Sequence, residues 1–113
     1  MDISDHMPES LADVSVGERQ ETEVNLCLAG AQLSMGQGDY RRAEKLFRRA
    51  AKWGSQRWGR YSANVGNILL ELQELYELQG LETEARHVDS EIKAILRRYF
   101  FDVVREANLR KRS

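Results

Sequence analysis

The sequence predicts an all-α protein, and two observations carry this prediction. The 113 residues contain a single proline and few β-branched runs, and apolar residues recur along the chain at helical spacing. A pattern of residues also recurs at a fixed offset of 42 positions. A period in the range of roughly 20–50 residues indicates stacked units of supersecondary structure. We therefore expect two copies of one antiparallel helical hairpin, followed by a C-terminal helical extension.

Seven positions are identical at this offset. The pairs are Gly17/Gly59, Asn25/Asn67, Leu28/Leu70, Leu33/Leu75, Gln37/Gln79, Gly38/Gly80 and Ala43/Ala85. Glycine adopts the left-handed conformation that ends a helix at no steric cost, so Gly38 and Gly80 predict turns near 37–39 and 79–81. The small Ala43 and Ala85 predict close helix crossings.

The expected helices run near 18–36, 40–54, 60–79 and 82–108. Asp39 is placed to cap the second of them. In that helix we expect an apolar face to be buried, with the arginines and lysines between its members in water. This face consists of Tyr40, Ala43, Leu46, Phe47 and Ala50.

The organisation that follows has three parts. Residues 1–16 are expected to form a flexible acidic arm. Residues 17–97 form the two-repeat domain, with repeats at about 17–58 and 59–97. Residues 98–113 form a capping or interface helix with a basic end.

Charge alternates along the chain although the net charge is only −1. Residues 1–38 and 61–91 each carry seven acids against one base, whereas residues 39–60 carry eight bases against two acids. Residues 92–113 are again basic, with seven bases against two acids. Blocks of this length predict neighbouring helices of opposite charge.

Nothing in the residue pattern predicts an enzyme. Cys27 lies between leucines and is expected to be a buried thiol without a disulfide partner. His87 and Glu91 have helical spacing, but two ligands do not make a metal site. No catalytic residue, metal or cofactor is expected. The absence of a long apolar run predicts no transmembrane segment and a cytoplasmic protein.

The stretch "QGDYRRAEKLFRRA" resembles the turn and second helix of tetratricopeptide repeats. Residues on that family's signature positions are Ala31, Gln37, Gly38, Asp39, Tyr40, Ala43, Phe47 and Ala50. The period of 42 is similar to the kinesin-light-chain type. The second copy departs from the pattern at Gln73, Asp89 and Ile92, so we expect a terminal unit.

The resemblance implies a protein-binding adaptor or scaffold whose first helices line a groove for another protein or peptide. Carried over by position, the groove residues are Asn25, Leu28, Gln32, Met35, Asn67, Leu70, Glu71, Glu74 and Glu77. An acidic and apolar groove suits a basic, amphipathic segment. Nucleic-acid binding through the basic stretch 41–60 and the basic tail is the alternative, disfavoured because the neighbouring acidic blocks oppose that field.

Self-association is also expected. Two repeats are fewer than the three that stacked architectures generally need, and large apolar residues gather beyond what two hairpins enclose. The candidate residues of a homo-oligomer interface are Trp53, Trp58, Tyr99, Phe100, Phe101 and Val104. The other outcome is that the tail folds back and covers these residues within one chain.

Overall fold

The chain is helical throughout the part that the structure describes. The structure is a computed structural model that describes the backbone of residues 9–112 and the side chains of residues 15–112. Within these residues there are four helices and no strand: α1 (Glu9–Gly36), α2 (Tyr40–Trp58), α3 (Ala63–Leu78) and α4 (Glu82–Lys111). The all-α prediction is confirmed.

The two turns at Gly38 and Gly80 have the same hydrogen bonds at an offset of 42. Both glycines have positive φ, 77° and 71°. In the first turn the hydrogen bonds run from the backbone N–H groups of Gln37, Gly38, Asp39 and Ala43 to the carbonyls of Leu33, Met35, Ser34 and Asp39, respectively. In the second turn they run from the N–H groups of Gln79, Gly80, Leu81 and Ala85 to the carbonyls of Leu75, Glu77, Tyr76 and Leu81, respectively. The sequence repeat is therefore also a repeat of backbone geometry.

Side-chain caps fix where α2 and α3 begin. The Asp39 carboxylate accepts a hydrogen bond from the backbone N–H of Arg42 at 3.2 Å, as expected from the sequence. The Ser62 hydroxyl accepts one from the N–H of Val65, also at 3.2 Å. Gly59, at φ 98°, ends α2. The loop between α2 and α3 is consequently short.

Consecutive helices run antiparallel. Arg57, near the end of α2, binds Glu21 of α1, and Leu46 approaches Gly30 further along the pair. In the second pair Gln73 of α3 binds Asp89 of α4. The helix α2 also packs against α3, which joins the two pairs.

A continuous core lies between the helices. Its main cluster is composed of Ala31, Ala43, Phe47, Val65, Leu69, Leu72, Leu75, Tyr76, Ala85, Val88, Ile92 and Ile95. Phe47, Leu72, Leu75 and Val88 are its largest fully buried side chains. A second cluster contains Val24, Cys27, Ala50 and Ile68. Ala43 and Ala85 are both buried, in agreement with the predicted close crossings.

The first helix starts earlier than the sequence reading placed it. The expected start near residue 18 is wrong, because α1 already begins at Glu9. Residues 1–8 of the expected arm 1–16 lie outside the described part. No proline follows Pro8 in this region, so nothing in the sequence breaks the helix.

The second helix does not end at Gly54 as expected. It continues to Trp58, and Gly54 is buried in it. A Cβ built at Gly54 would lie 3.4 Å from both Ile68 Cδ1 and Val65 Cγ2. Gly54 is therefore a contact position where α3 crosses α2 closely, rather than a helix break.

A polar network connects α2 to α3. The Tyr76 hydroxyl donates a hydrogen bond to Glu44 Oε1 at 2.7 Å, and Tyr76 itself is buried. Burial and the bond to Glu44 raise the pKa of Tyr76 above its ordinary value. This hydroxyl lies at the junction of the two hairpins.

The molecule is flat and extended. Its principal extents are 59 × 55 × 16 Å and its radius of gyration is 18.4 Å, against about 13 Å for a compact domain of this length. One cause is that α3 covers only the first half of α4: Gly66, near the start of α3, lies against Ile95. The helix α4 continues from there to Lys111.

Alanine substitutions at Gly54 and Gly38 should have opposite effects on stability. Gly54→Ala adds a methyl in ordinary van der Waals contact within a helix and should raise the free energy of unfolding by about 0.5–1 kcal/mol. Gly38→Ala forces alanine into a left-handed turn and should lower it by about 1–2 kcal/mol. Urea unfolding measures both. A destabilised Gly54→Ala would contradict the assigned contact geometry.

Tyr76→Phe should lower the free energy of unfolding by about 1 kcal/mol at neutral pH. Because the folded-state pKa of Tyr76 is raised, its contribution is complete below about pH 10 and is lost as pH rises through that raised pKa. The difference between wild type and variant should therefore shrink at alkaline pH. Tyr40, which was expected on the buried face of α2, is exposed at the first position of the helix, so Tyr40→Phe is the control. A difference that is constant to pH 11 would refute the linkage.

Candidate functional site

A cavity opens between α1 and α3, on the side where the sequence predicted a groove. Its volume is about 430 Å³. The apolar part of the lining consists of Val24, Leu28, Trp58 and Ile68, and the polar part consists of Asn25, Asn64, Asn67 and Glu71. The site is therefore an apolar floor with amide and carboxylate groups around it.

Four of the predicted groove residues line this cavity: Asn25, Leu28, Asn67 and Glu71. Gln32 is adjacent, since its side-chain amide donates a hydrogen bond to Glu71 Oε1 at 3.2 Å. This bond joins α1 to α3 and holds the Glu71 carboxylate over the cavity.

The remaining predicted residues are distributed elsewhere. Met35 is half-buried and packs against the main core cluster. Leu70 lines a separate cleft between α3 and α4, and Glu77 lines an acidic cavity near the second turn. Glu74 is exposed on α3. Leu70 and Glu77 therefore lie outside the cavity between α1 and α3.

Helical geometry explains this division. At 100° per residue, Asn67, Glu71 and Glu74 fall within a stripe about 60° wide. Leu70 and Glu77 lie about 60–80° from Asn67 in the opposite direction, which turns them toward α4. All five residues could lie on one broad face of an isolated helix. Only the positions of the neighbouring helices show on which side of α3 each residue lies.

Sequence reasoning missed four of the residues that line the cavity: Val24, Trp58, Asn64 and Ile68. Asn64 precedes Asn67 by three positions, which is the spacing of one helix face, and this signal could have found it. Trp58 could not be placed because α2 was expected to end before it.

The aromatic residues proposed for an interface divide into two groups. Trp53 and Trp58 are half-buried and pack against the Val24, Cys27, Ala50 and Ile68 cluster. The others, on α4, are exposed: Tyr99, Phe100 and Phe101 at 63–68% and Val104 at 39%.

Ion pairs join the helices whose charges alternate. Arg57 of α2 binds Glu21 of α1 at 2.9 Å, and Arg48 of α2 binds Glu91 of α4 at 3.4 Å. Two bases of the basic stretch 41–60 are therefore paired with acids of neighbouring helices. Each pair is about 40% exposed, so its contribution to stability is small.

The groups considered for chemistry are dispersed. In residues 15–112 no cluster of three or more His, Cys, Asp or Glu side chains has the geometry to hold a metal ion. His87 lies 3.5 Å from Glu91, in an exposed pair. Cys27 is buried, and burial raises the pKa of its thiol, which disfavours the reactive thiolate.

Comparisons of the chain with protein-family models, with curated proteins and with solved structures find no match. Among the described residues, none of the helices combines the length and the apolar character needed to cross a membrane.

Proposed function

We propose that this chain is a non-enzymatic adaptor of the tetratricopeptide type, which binds a basic, amphipathic segment of another protein. The observation that carries the proposal is the cavity between α1 and α3, where an apolar floor is bordered by Asn25, Asn67 and Glu71. Peptide-binding grooves combine these elements: apolar pockets give affinity, and a few polar groups fix orientation.

The packing of the signature positions supports the tetratricopeptide assignment. Ala31, Ala43 and Ala50 are fully buried, and Phe47 is 1% exposed. Small residues at these positions let the helices of a hairpin approach closely. The turn geometry that recurs at an offset of 42 is what a repeat of one hairpin unit requires.

The size of the cavity constrains its occupant. A volume of about 430 Å³ accommodates one or two large side chains rather than a whole helix. The occupant would therefore insert an apolar anchor and lie along the surface of α1 and α3. Leu28 and Ile68 form the part of the floor that such an anchor would contact.

The charge of the site selects the residues beside the anchor. Glu71 borders the cavity, and Glu74 follows it on the same stripe of α3. The helix α3 contains three acids and no base. A lysine or arginine three or four residues from the apolar anchor would meet these carboxylates. A helical partner segment with an apolar anchor and a basic residue one turn away would fit this arrangement.

Charge reversal of the stripe should weaken binding. We expect Glu71→Lys/Glu74→Lys to lower the affinity for synthetic Leu- and Arg-containing amphipathic peptides at least about tenfold, which corresponds to about 1.4 kcal/mol. The salt dependence of the remaining binding should also be smaller. Fluorescence anisotropy measures affinity, and NMR of the Asn25, Asn64 and Asn67 side-chain amides locates the peptide.

Glu84→Lys is the matched control, because Glu84 is exposed on α4 and lies outside the cavity. It makes half the charge change of the double variant, so a fall in affinity shared by both would indicate only a general electrostatic effect. The groove assignment is wrong if the double variant binds like wild type, or if the asparagine amides do not shift.

A further inference from the structure

The second half of α4 carries an apolar stripe that no other part of the described chain covers. Its members Leu96, Tyr99, Phe100 and Val103 are 44–68% exposed. They continue the same face of α4 that packs against α3 through Ile92 and Ile95. The helix runs 16 residues past Ile95, which is about 24 Å of projecting helix. We call residues 96–112 the tail.

The end of the hairpin stack is also open. A cleft of about 310 Å³ lies between α3 and α4, and its lining includes Gly66, Leu70, Ile92, Leu96 and Tyr99. This cleft and the exposed tail share Leu96 and Tyr99, so they form one apolar surface. Contiguous apolar surfaces of this kind mark interaction sites.

The internal repeat shows what kind of element fits the cleft. At the offset of 42, its residues Gly66, Leu70 and Ile92 correspond to Val24, Leu28 and Ala50 of the first hairpin. In the first hairpin that surface is covered by α3, since Ile68 packs in one cluster with Val24 and Ala50. The cleft between α3 and α4 is therefore the position that a following helix would occupy.

The tail has the same apolar spacing as the helix that covers the first hairpin. The residues that α3 packs inward are Val65, Ile68, Leu69 and Leu72, at positions i, i+3, i+4 and i+7. Leu96, Tyr99, Phe100 and Val103 follow the same spacing. One chain thus contains both an open acceptor face and a helix with the pattern to cover it.

We propose that two copies of this chain form a two-fold symmetric dimer in which the tail of each copy covers the cleft between α3 and α4 of the other. The register follows from the first hairpin, where α3 crosses α2 with Val65 and Ile68 beside Gly54. Transferred to the tail, this register makes the two α4 helices antiparallel and places the two-fold axis near Leu96. An isologous interface requires this self-complementarity.

Charge complementarity favours a second copy as the occupant. Beyond the cleft, α3 and α4 border a cavity of about 500 Å³ whose lining includes the acids Glu77, Glu82 and Asp89 and the base Arg86. Beyond the apolar stripe, the tail ends in Arg110, Lys111 and Arg112. In the antiparallel arrangement the basic end of each tail reaches the acidic cavity of the other copy.

Light scattering over a range of concentrations tests the dimer. We expect a mass of twice 13.0 kDa that falls toward 13.0 kDa on dilution, and Phe100→Asp should raise the dimer dissociation constant at least about a hundredfold. Leu33→Asp is the matched control: Leu33 is 65% exposed, against 68% for Phe100, but lies on α1. Circular dichroism verifies that both variants remain helical.

A charge exchange tests the register. Lys111→Glu should weaken the dimer several-fold and Glu82→Lys should do the same, whereas the double variant should recover affinity. Glu71→Lys/Glu74→Lys should leave the dimer intact, because these residues belong to the cavity between α1 and α3. This separates failure of the dimer from failure of the proposed groove.

Three results would overturn the dimer. The first is a mass of 13.0 kDa at every concentration. The second is loss of the dimer in Glu71→Lys/Glu74→Lys but not in Phe100→Asp, which would place the tail in the other cavity. The third is a monomer that binds vesicles of mixed phosphatidylserine and phosphatidylcholine through Phe100, which would assign the tail to an anionic membrane surface.

Discussion

The arrangement of the chain depends on the close approach of α2 to the helices on either side of it. Its core-facing side consists of Ala43, Phe47, Ala50 and Gly54, so a single large side chain is set among three small residues. Small residues let helix axes come close, and a large side chain at Ala43 or Ala50 would force them apart. Because α2 packs closely against both α1 and α3, these two helices approach each other on one side of α2. Their convergence creates the cavity lined by Leu28 and Ile68.

Charge has a different role from packing in this molecule. The interhelical pairs of Arg57 with Glu21 and of Arg48 with Glu91 are partly exposed, and such pairs contribute little stability. Their effect is on arrangement, because a shifted register would place like charges together. The buried hydroxyl of Tyr76 differs from them: its hydrogen bond to Glu44 lies within the junction of the hairpins, where an unsatisfied group is costly.

The sequence predicted the turns well because glycine at positive φ is a local requirement that one residue meets by itself. Gly38 and Gly80 needed no knowledge of neighbouring helices. Within a helix the sequence gives no such signal. Gly54 was expected to end α2, whereas in the structure it lies inside the helix and packs against α3. The candidate site shows the same limit. Asn67 and Glu71 line the cavity between α1 and α3, whereas Leu70 and Glu77 lie about 60–80° from Asn67 around the helix, and only the position of α4 separates the two sides.

The departures of the second repeat show how the stack ends. In the first hairpin the equivalent positions are the buried Ala31 and Phe47; in the second they are Gln73 and Asp89, which bind each other at 3.3 Å. An apolar pair covered by the next hairpin is replaced by a polar pair that satisfies itself, so this part of the end face can remain in water. The adjacent Leu70 and Ile92 keep the apolar character of their counterparts Leu28 and Ala50. This face is therefore polar in one part and apolar in another.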